Sequence, residues 1–594
     1  KGWWTPSSAA RTLHDRREPG NETMSRVWTT PFQLSFAFML WHGTGEARAG
    51  GAMMEAAELE LSRSMNLSLP EQPSPYFVAY DLLDVHAVTV SASFGALQST
   101  DYTPYRKLRA EVRVGDPDLD SANFAGAYGI PDGVEIRLLP LDEDIIAIRR
   151  EIWRATDEAY KGATEQLSAK LAARSRSGTE FPADLTLLDQ PTLGTTPQPS
   201  APDAQALEAL VIELSAILGG TPGLEQAHAI ARELQGTRSL CTSEGTRIRL
   251  PLGSLVVRVE GEARSSDGAR IRDARWWVVR SSEQLPARSE LVEAVEELGA
   301  WLTAARDAPI VSDYLGPVLF ESPASIELFR QLATPELSGT PPTQKGADPF
   351  GTRLNQNPTA RLGRRLLPTG WSLTDDPSAD PELPGSYLHD HEGTRARRVE
   401  VVRDGVVRDL LMSRTPRLDL DQSTGHGRGL GGDRRVAIPA QVAVSPQRSL
   451  SHKKLRRRAL SLARRSGKDH VLVVRRLEPP GLTEDFAVAV TGEGPLPGLT
   501  PPLEAYRLYL DGREEPVRGL RFVGVDRRAL RDILHAGPVS PPVGVLDGPP
   551  GPSRFSLGSV SGLPASWSVP PVLVSELELT GRTAGEPRVL QPPP

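Results

Sequence analysis

Cysteine is almost missing from this chain: Cys241 stands alone among 594 residues. An intramolecular disulfide and any cysteine-rich metal site are thereby excluded. The residue reads as a small buried side chain rather than a reactive thiol. Surplus positive charge is missing too. The net charge of −7 gives no overall pull towards nucleic acid or anionic lipid. No apolar stretch reaches the roughly 20 residues of a transmembrane helix, so no membrane span is expected in the mature chain. Neither a G-x-S-x-G nucleophile elbow nor a G-x-x-x-x-G-K-[ST] phosphate loop is found. What remains is globular in composition, with 39% hydrophobic and 24% charged residues, and long enough for two or three domains with a sizeable core.

The first 49 residues read as a leader. Met24-Ser25-Arg26 is a positive start, Phe32–Trp41 an apolar run, and Ala47-Arg48-Ala49 a small-residue end. These are the three parts of a secretory signal peptide. Residues 1–23 then lie upstream of the start. The expectation is export, periplasmic or extracellular; without a working leader the chain stays cytoplasmic.

Residues 50–306 read as an N-terminal α/β domain. Met53–Met65 has helical spacing. His86–Phe94 and Leu108–Val114 alternate as strands do and suit antiparallel neighbours. Ile145, Ile148, Ile152, Ala155, Ala159 and Ala163 put one apolar face on a helix within residues 141–174. The polar stretch Ser175–Asp203 reads as a linker. Ala204–Leu218 and Gly223–Leu234 read as helices, Leu255–Glu260 and Ala274–Arg280 as strands, and Leu291–Ala305 as a further helix.

Residues 307–594 read as a large, mainly antiparallel β domain, which makes the fold class α+β. Asp404-Gly405 and Asp511-Gly512 each sit between strand-like runs, a strong hairpin signal. His470–Arg476, Phe486–Val490 and Val572–Leu579 add strands. Ser451–Arg465 is one basic helix; Leu455, Ala459 and Leu462 mark its apolar face, and its charges read as a solvated side rather than a nucleic-acid surface. Thr334–Gly351 and His535–Pro571 read as loops.

An ordered series of short motifs runs through this half: Gly316–Phe320, Ser325–Phe329, Leu367-Pro368, Asp375-Asp376-Pro377, Gly385-Ser386-Tyr387, Asp390–Gly393, Ser413-Arg414, Ser423–Arg428 and Pro571–Glu578. The series resembles the TldD/PmbA proteins, called modulators of DNA gyrase, whose active members are zinc metallopeptidases. The resemblance covers most of residues 53–580. It implies a helix carrying His-Glu-x-x-x-His and a later Cys, with one zinc position open to water and the Glu as base. Here the motif window reads Arg330-Gln331-Leu-Ala-Thr-Pro335-Glu336. No His lies between His228 and His389, and no Cys follows Cys241. The standard site cannot be built.

By this resemblance the chain is a pseudoenzyme that carries no zinc itself. It implies a dimer, with an intact His-Glu-x-x-x-His paralogue holding the zinc and unfolded peptide as substrate. Two alternatives stay open. One is an exported homodimer that binds peptide without cleaving it. The other is a divergent metallopeptidase: His389 and His391 share a face if they lie on a strand, and two imidazoles can begin a metal site. His426 reads as structural, and Glu321 and Glu327 as solvated or capping carboxylates.

Overall fold

The computed structural model describes residues 51–125, 133–176, 180–188, 193–195, 201–311, 313–345, 360–429, 434–478, 498–547 and 562–581. The leader and the strand expected at Phe486–Val490 lie outside them. Among the described residues no helix is long and apolar enough to cross a membrane.

The N-terminal part is built on one long hairpin. β1 (Pro75–Ser93) and β2 (Ala96–Val114) have 19 residues each and turn through Phe94-Gly95, both at positive φ. The two segments read as strands both lie in this hairpin, but they do not face each other: His86 pairs with Pro104, and Leu108 with Leu82. β4 (Val134–Leu139), β5 (Leu193–Thr195), β6 (Leu224–Thr242), β7 (Arg247–Arg264) and β8 (Arg270–Val279) extend the sheet in the order β4-β2-β1-β6-β7-β5, with β8 also on β7.

The helix expected at Gly223–Leu234 is instead part of β6. Ala227, Ala229 and Ala231 are buried in alternation with more exposed neighbours. That period of two is a strand's, and the alanines make it easy to mistake for a helix face.

Four helices cover one face of this sheet. α1 (Gly51–Ser64) and α2 (Ile145–Arg174) pack on Val78, Tyr80 and Leu82. α3 (Ala204–Gly219) and α4 (Arg288–Arg306) pack on Val88, Val90 and Ala92. All six contact positions are even-numbered along β1, so they point to the same side. Cys241, paired with Tyr80, is buried there, and burial pushes its thiol up to about 12, far from a reactive value.

The odd-numbered face meets the second half of the chain. There β9 (Asp313–Phe320) is the centre of a sheet with β17 (His470–Leu477), β18 (Pro502–Tyr509), β19 (Glu514–Val517), β20 (Leu520–Phe522), β21 (Ile533–Ala536) and β24 (Val572–Gly581). Its order is β19-β18-β17-β9-β24-β20, with β21 beside β24. A further sheet runs β13 (Val406–Val407), β12 (Val399–Arg403), β11 (Ser372–Asp375), β16 (Gln441–Ser445), β23 (Leu563–Ser568), β22 (Val543–Asp547). α5 (Ala324–Leu337) shares one apolar core with both: Phe329, Leu332 and Leu337 pack with Val318 and Phe320 of β9 and with Val399 and Val442 of the other sheet. α6 (His452–Arg465), the basic helix, buries Leu455, Ala459 and Ala463.

Two short ladders complete the described strands, β3 (Phe124–Ala125) on β10 (Gln344–Lys345) and β14 (Gly427–Arg428) on β15 (Val436–Ala437). Pairing is mainly antiparallel, and the fold is α+β as expected. Two loop expectations need correction. Thr334–Leu337 is the last turn of α5 despite Pro335, because Leu337 and its neighbours are buried in the core. The Gly- and Pro-rich stretch after His535 contains β22 and β23, whose ladder runs from Val543–Trp567 to Asp547–Leu563.

Candidate functional site

α5 carries the whole degenerate window, Arg330, Gln331, Pro335 and Glu336. The helix follows β9 through Glu321, whose backbone N–H donates to Val474 of β17 (3.0 Å). An apolar face of Ile326, Phe329, Ala333 and Leu337 fixes the helix in the core. The remaining face presents the window to polar groups from three other elements.

Arg330 is locked in place. Its Nε and Nη2 donate to the two carboxylate oxygens of Glu327 (3.1 and 2.9 Å). Its Nη1 donates to Asp547 (2.9 Å) and to the carbonyl of Leu546 (3.0 Å). Asp547 in turn accepts from the indole of the fully buried Trp567 (2.7 Å). Burial alone would lower the guanidinium pKa, but Glu327 and Asp547 hold it above the ordinary value. Gln331 donates to Thr500 Oγ1 (2.8 Å), to the carbonyl of Glu478 (3.2 Å) and to Glu327 (3.2 Å), and accepts from Thr500 N–H (3.0 Å). Glu336 is buried and ion-paired to Arg527 at 3.0 Å and Arg364 at 4.0 Å.

These groups do not fit zinc. A guanidinium stays protonated and repels a cation, proline has no side-chain donor atom, and the Gln331 amide is already saturated. Glu327 is the one carboxylate beside the window that could have served as a base. Both its oxygens accept from Arg330 or Gln331, which holds the carboxylate as an ion-pair partner. The expectation of a solvated or capping Glu327 is therefore corrected: it is a buried ion-pair partner. Glu321 is likewise paired, to Arg456 (2.6 Å) and Arg475 (3.0 Å).

His389 and His391 lie in a turn rather than along a strand. His389 forms an isolated bridge with Arg395. His391 Nδ1 accepts from the N–H of Gly429 (3.2 Å). Burial, then Arg238, Arg435 and Arg428, hold the His391 imidazole neutral, far below its usual pKa. Three arginines around one ring form a poor setting for a metal cation. Among the described residues no group of three or more His, Cys, Asp or Glu is placed to hold a metal ion. His426 is fully buried and bonded through Nδ1 to Thr424 Oγ1 (2.8 Å), as a structural reading requires.

A buried charged layer lies between the two halves. The odd-numbered face of the hairpin sheet brings Asp81, Arg109, Glu111, Arg113 and Arg238 together. Arg435 reaches across to Asp81 (2.5 Å), which also takes a bond from Arg238. Arg414 forks onto Glu244 (2.6 and 2.8 Å), and its backbone N–H donates to Glu392 (2.7 Å). Burial favours a neutral Asp81, but Arg238, Arg435 and Arg109 win and lower its pKa. Burial, then Arg109, push Arg435 down to about 9. The neighbouring Asp390 and Glu392 are raised, Asp390 by burial and then by the charge of Glu392. The one available signal was Arg109-x-Glu111-x-Arg113, opposite charges on one strand face.

Residues 314–458 match the PmbA/TldA metallopeptidase C-terminal domain. A metalloprotease of Methanothermobacter thermautotrophicus is 32% identical over 87 residues, 14% of this chain. The match spans about a fifth of that relative's length (19%). Among solved structures, TldE from Thermococcus kodakarensis aligns with a TM-score of 0.55 at 12% identity, covering 89% of this chain and 100% of that one. A proposed modulator of a DNA gyrase from Thermotoga maritima aligns with a TM-score of 0.53 at 13% identity, covering 85% and 96%. At these identities the likeness is one of fold.

Proposed function

We propose that this chain, whose residues 314–458 match the PmbA/TldA metallopeptidase C-terminal domain, is a non-catalytic member of the TldD/PmbA family: the zinc-free partner subunit of a peptidase that degrades unfolded peptides. The observation that carries this reading is the occupancy of the motif window. Arg330 and Gln331 open the window in which the resemblance implies a metal ligand and a general base, and they are bonded to Glu327, Asp547 and Thr500. Catalysis then falls to an intact paralogue. This chain shapes a shared chamber and holds extended peptide by strand addition. The leader pattern adds export to the proposal.

The test is zinc content and peptidase activity, measured on the purified chain alone and with the candidate paralogue. The expected result is no stoichiometric zinc and no cleavage alone, with both present in the mixed assembly. Self-dimers that hold peptide without turnover, in a genome lacking the paralogue, would favour the exported peptide-binding homodimer. Stoichiometric zinc that disappears in the double variant His389→Ala/His391→Ala would establish the divergent metallopeptidase instead.

A further inference from the structure

Five arginines line one cavity of about 30 Å³: Arg364, Arg365, Arg527, Arg528 and Arg531. The first two precede β11. The other three belong to the short helix Arg528–Arg531 and its N-cap residue Arg527. One water needs roughly 10–15 Å³ of such space, so the cavity has room for one small oxyanion.

The local charge does not balance. Glu336 pairs with Arg527 (3.0 Å) and Arg364 (4.0 Å), and Asp526 with Arg528 (3.7 Å). Five guanidinium groups less these two carboxylates leave three positive charges. Arg365 donates to Thr369 Oγ1 (3.1 Å) and to the carbonyl of Asp404 (3.2 Å), and neither group carries a charge. The Asp404 carboxylate is turned to the N–H of Gly370 (2.6 Å). Arg365 and Arg531 have no ion-pair partner among the described residues. Like charges gathered on one cavity repel, and burial of Glu336 accounts for only two of the five.

A planar guanidinium presents paired N–H groups that match the oxygens of a phosphate, and several together suit a dianion. We infer that this cavity is an anion site for a phosphate group, either free phosphate or a small phosphomonoester. The site shares only Glu336 with the window on α5 and does not depend on whether the chain has a catalytic partner.

Isothermal titration of the full chain with inorganic phosphate, and separately with O-phosphoserine, tests this. Chloride at matched ionic strength serves as the control. Saturable binding of one or both phosphates is expected, with the tighter arm identifying the source. In R365A/R531A, whose two side chains are exposed, binding weakens at least about tenfold, because two charged hydrogen-bond donors are removed. Unfolding curves of the double variant show whether its fold is kept. Should it be lost, R531A alone gives the same reading. Three outcomes overturn the inference: no saturable binding, equal binding by the variant, or an equal response to chloride, which marks a solvated basic patch.

Discussion

At the scale of single residues, Arg330 and Gln331 make the window on α5 a structural joint. Arg330 ties α5 to β22 through Asp547, and Gln331 ties it to Thr500. The absence of the motif is plain in the sequence, but the fate of the vacated window is not. A sequence shows which ligand is gone, whereas only neighbouring chains show what closes around the replacement. The Asp390–Glu392 pair makes a residue-scale prediction. Both carboxyls have raised folded pKa values, first through burial. A raised carboxyl stabilises fully below the unfolded value of about 4 and loses that contribution as pH rises through the folded value. Glu392→Gln removes one of the two charges. Its melting temperature relative to the parent is therefore expected to climb between pH 5 and 9. A difference that stays constant over that range would show that the pair does not titrate there.

At the scale of elements, the chain's local signals were sound where a cap or turn backs them. α2 begins at Ile145 because Asp144 accepts from the N–H groups of Ile146 and Ala147 (2.9 and 3.1 Å). Asp144→Ala should cost about 1 kcal/mol of stability, as loss of an N-cap usually does, read as a lower denaturant midpoint with an unchanged slope. The Asp404-Gly405 turn is equally legible. Both residues have positive φ, and Val402 pairs with Val407 across it. The errors share a different cause. Gly223–Leu234 was open to either period because alanine serves helix and strand alike, and its place between β1 and β7 settles it. Pro335 argues for a helix end, yet burial of Glu336 and Leu337 carries α5 past it. In both cases packing across the fold overrode the local preference.

At the scale of the whole molecule, the hairpin sheet is sandwiched between four helices on one face and the second half of the chain on the other. Its outer face therefore carries charges that look solvent-directed in sequence but are buried. Asp81 and Arg435 are 354 residues apart in sequence and joined by a hydrogen bond of 2.5 Å. A double-mutant cycle of Asp81→Asn and Arg435→Met should give a coupling of about 1–3 kcal/mol, far above that of an exposed pair. Additivity within about 0.5 kcal/mol would mean that the charged layer does not join the two halves energetically. The sequence by itself determined the family resemblance, the α+β class, the buried Cys241 and the lack of any His between His228 and His389. Those follow from residue types and from periods of two and three to four, which are local quantities. The tertiary structure decided that Glu327 is ion-paired to Arg330, that His391 sits among arginines, and that five guanidinium groups meet at one cavity. Each of these depends on charges brought together from distant segments, and electrostatic energy depends on distance in space rather than on position along the chain.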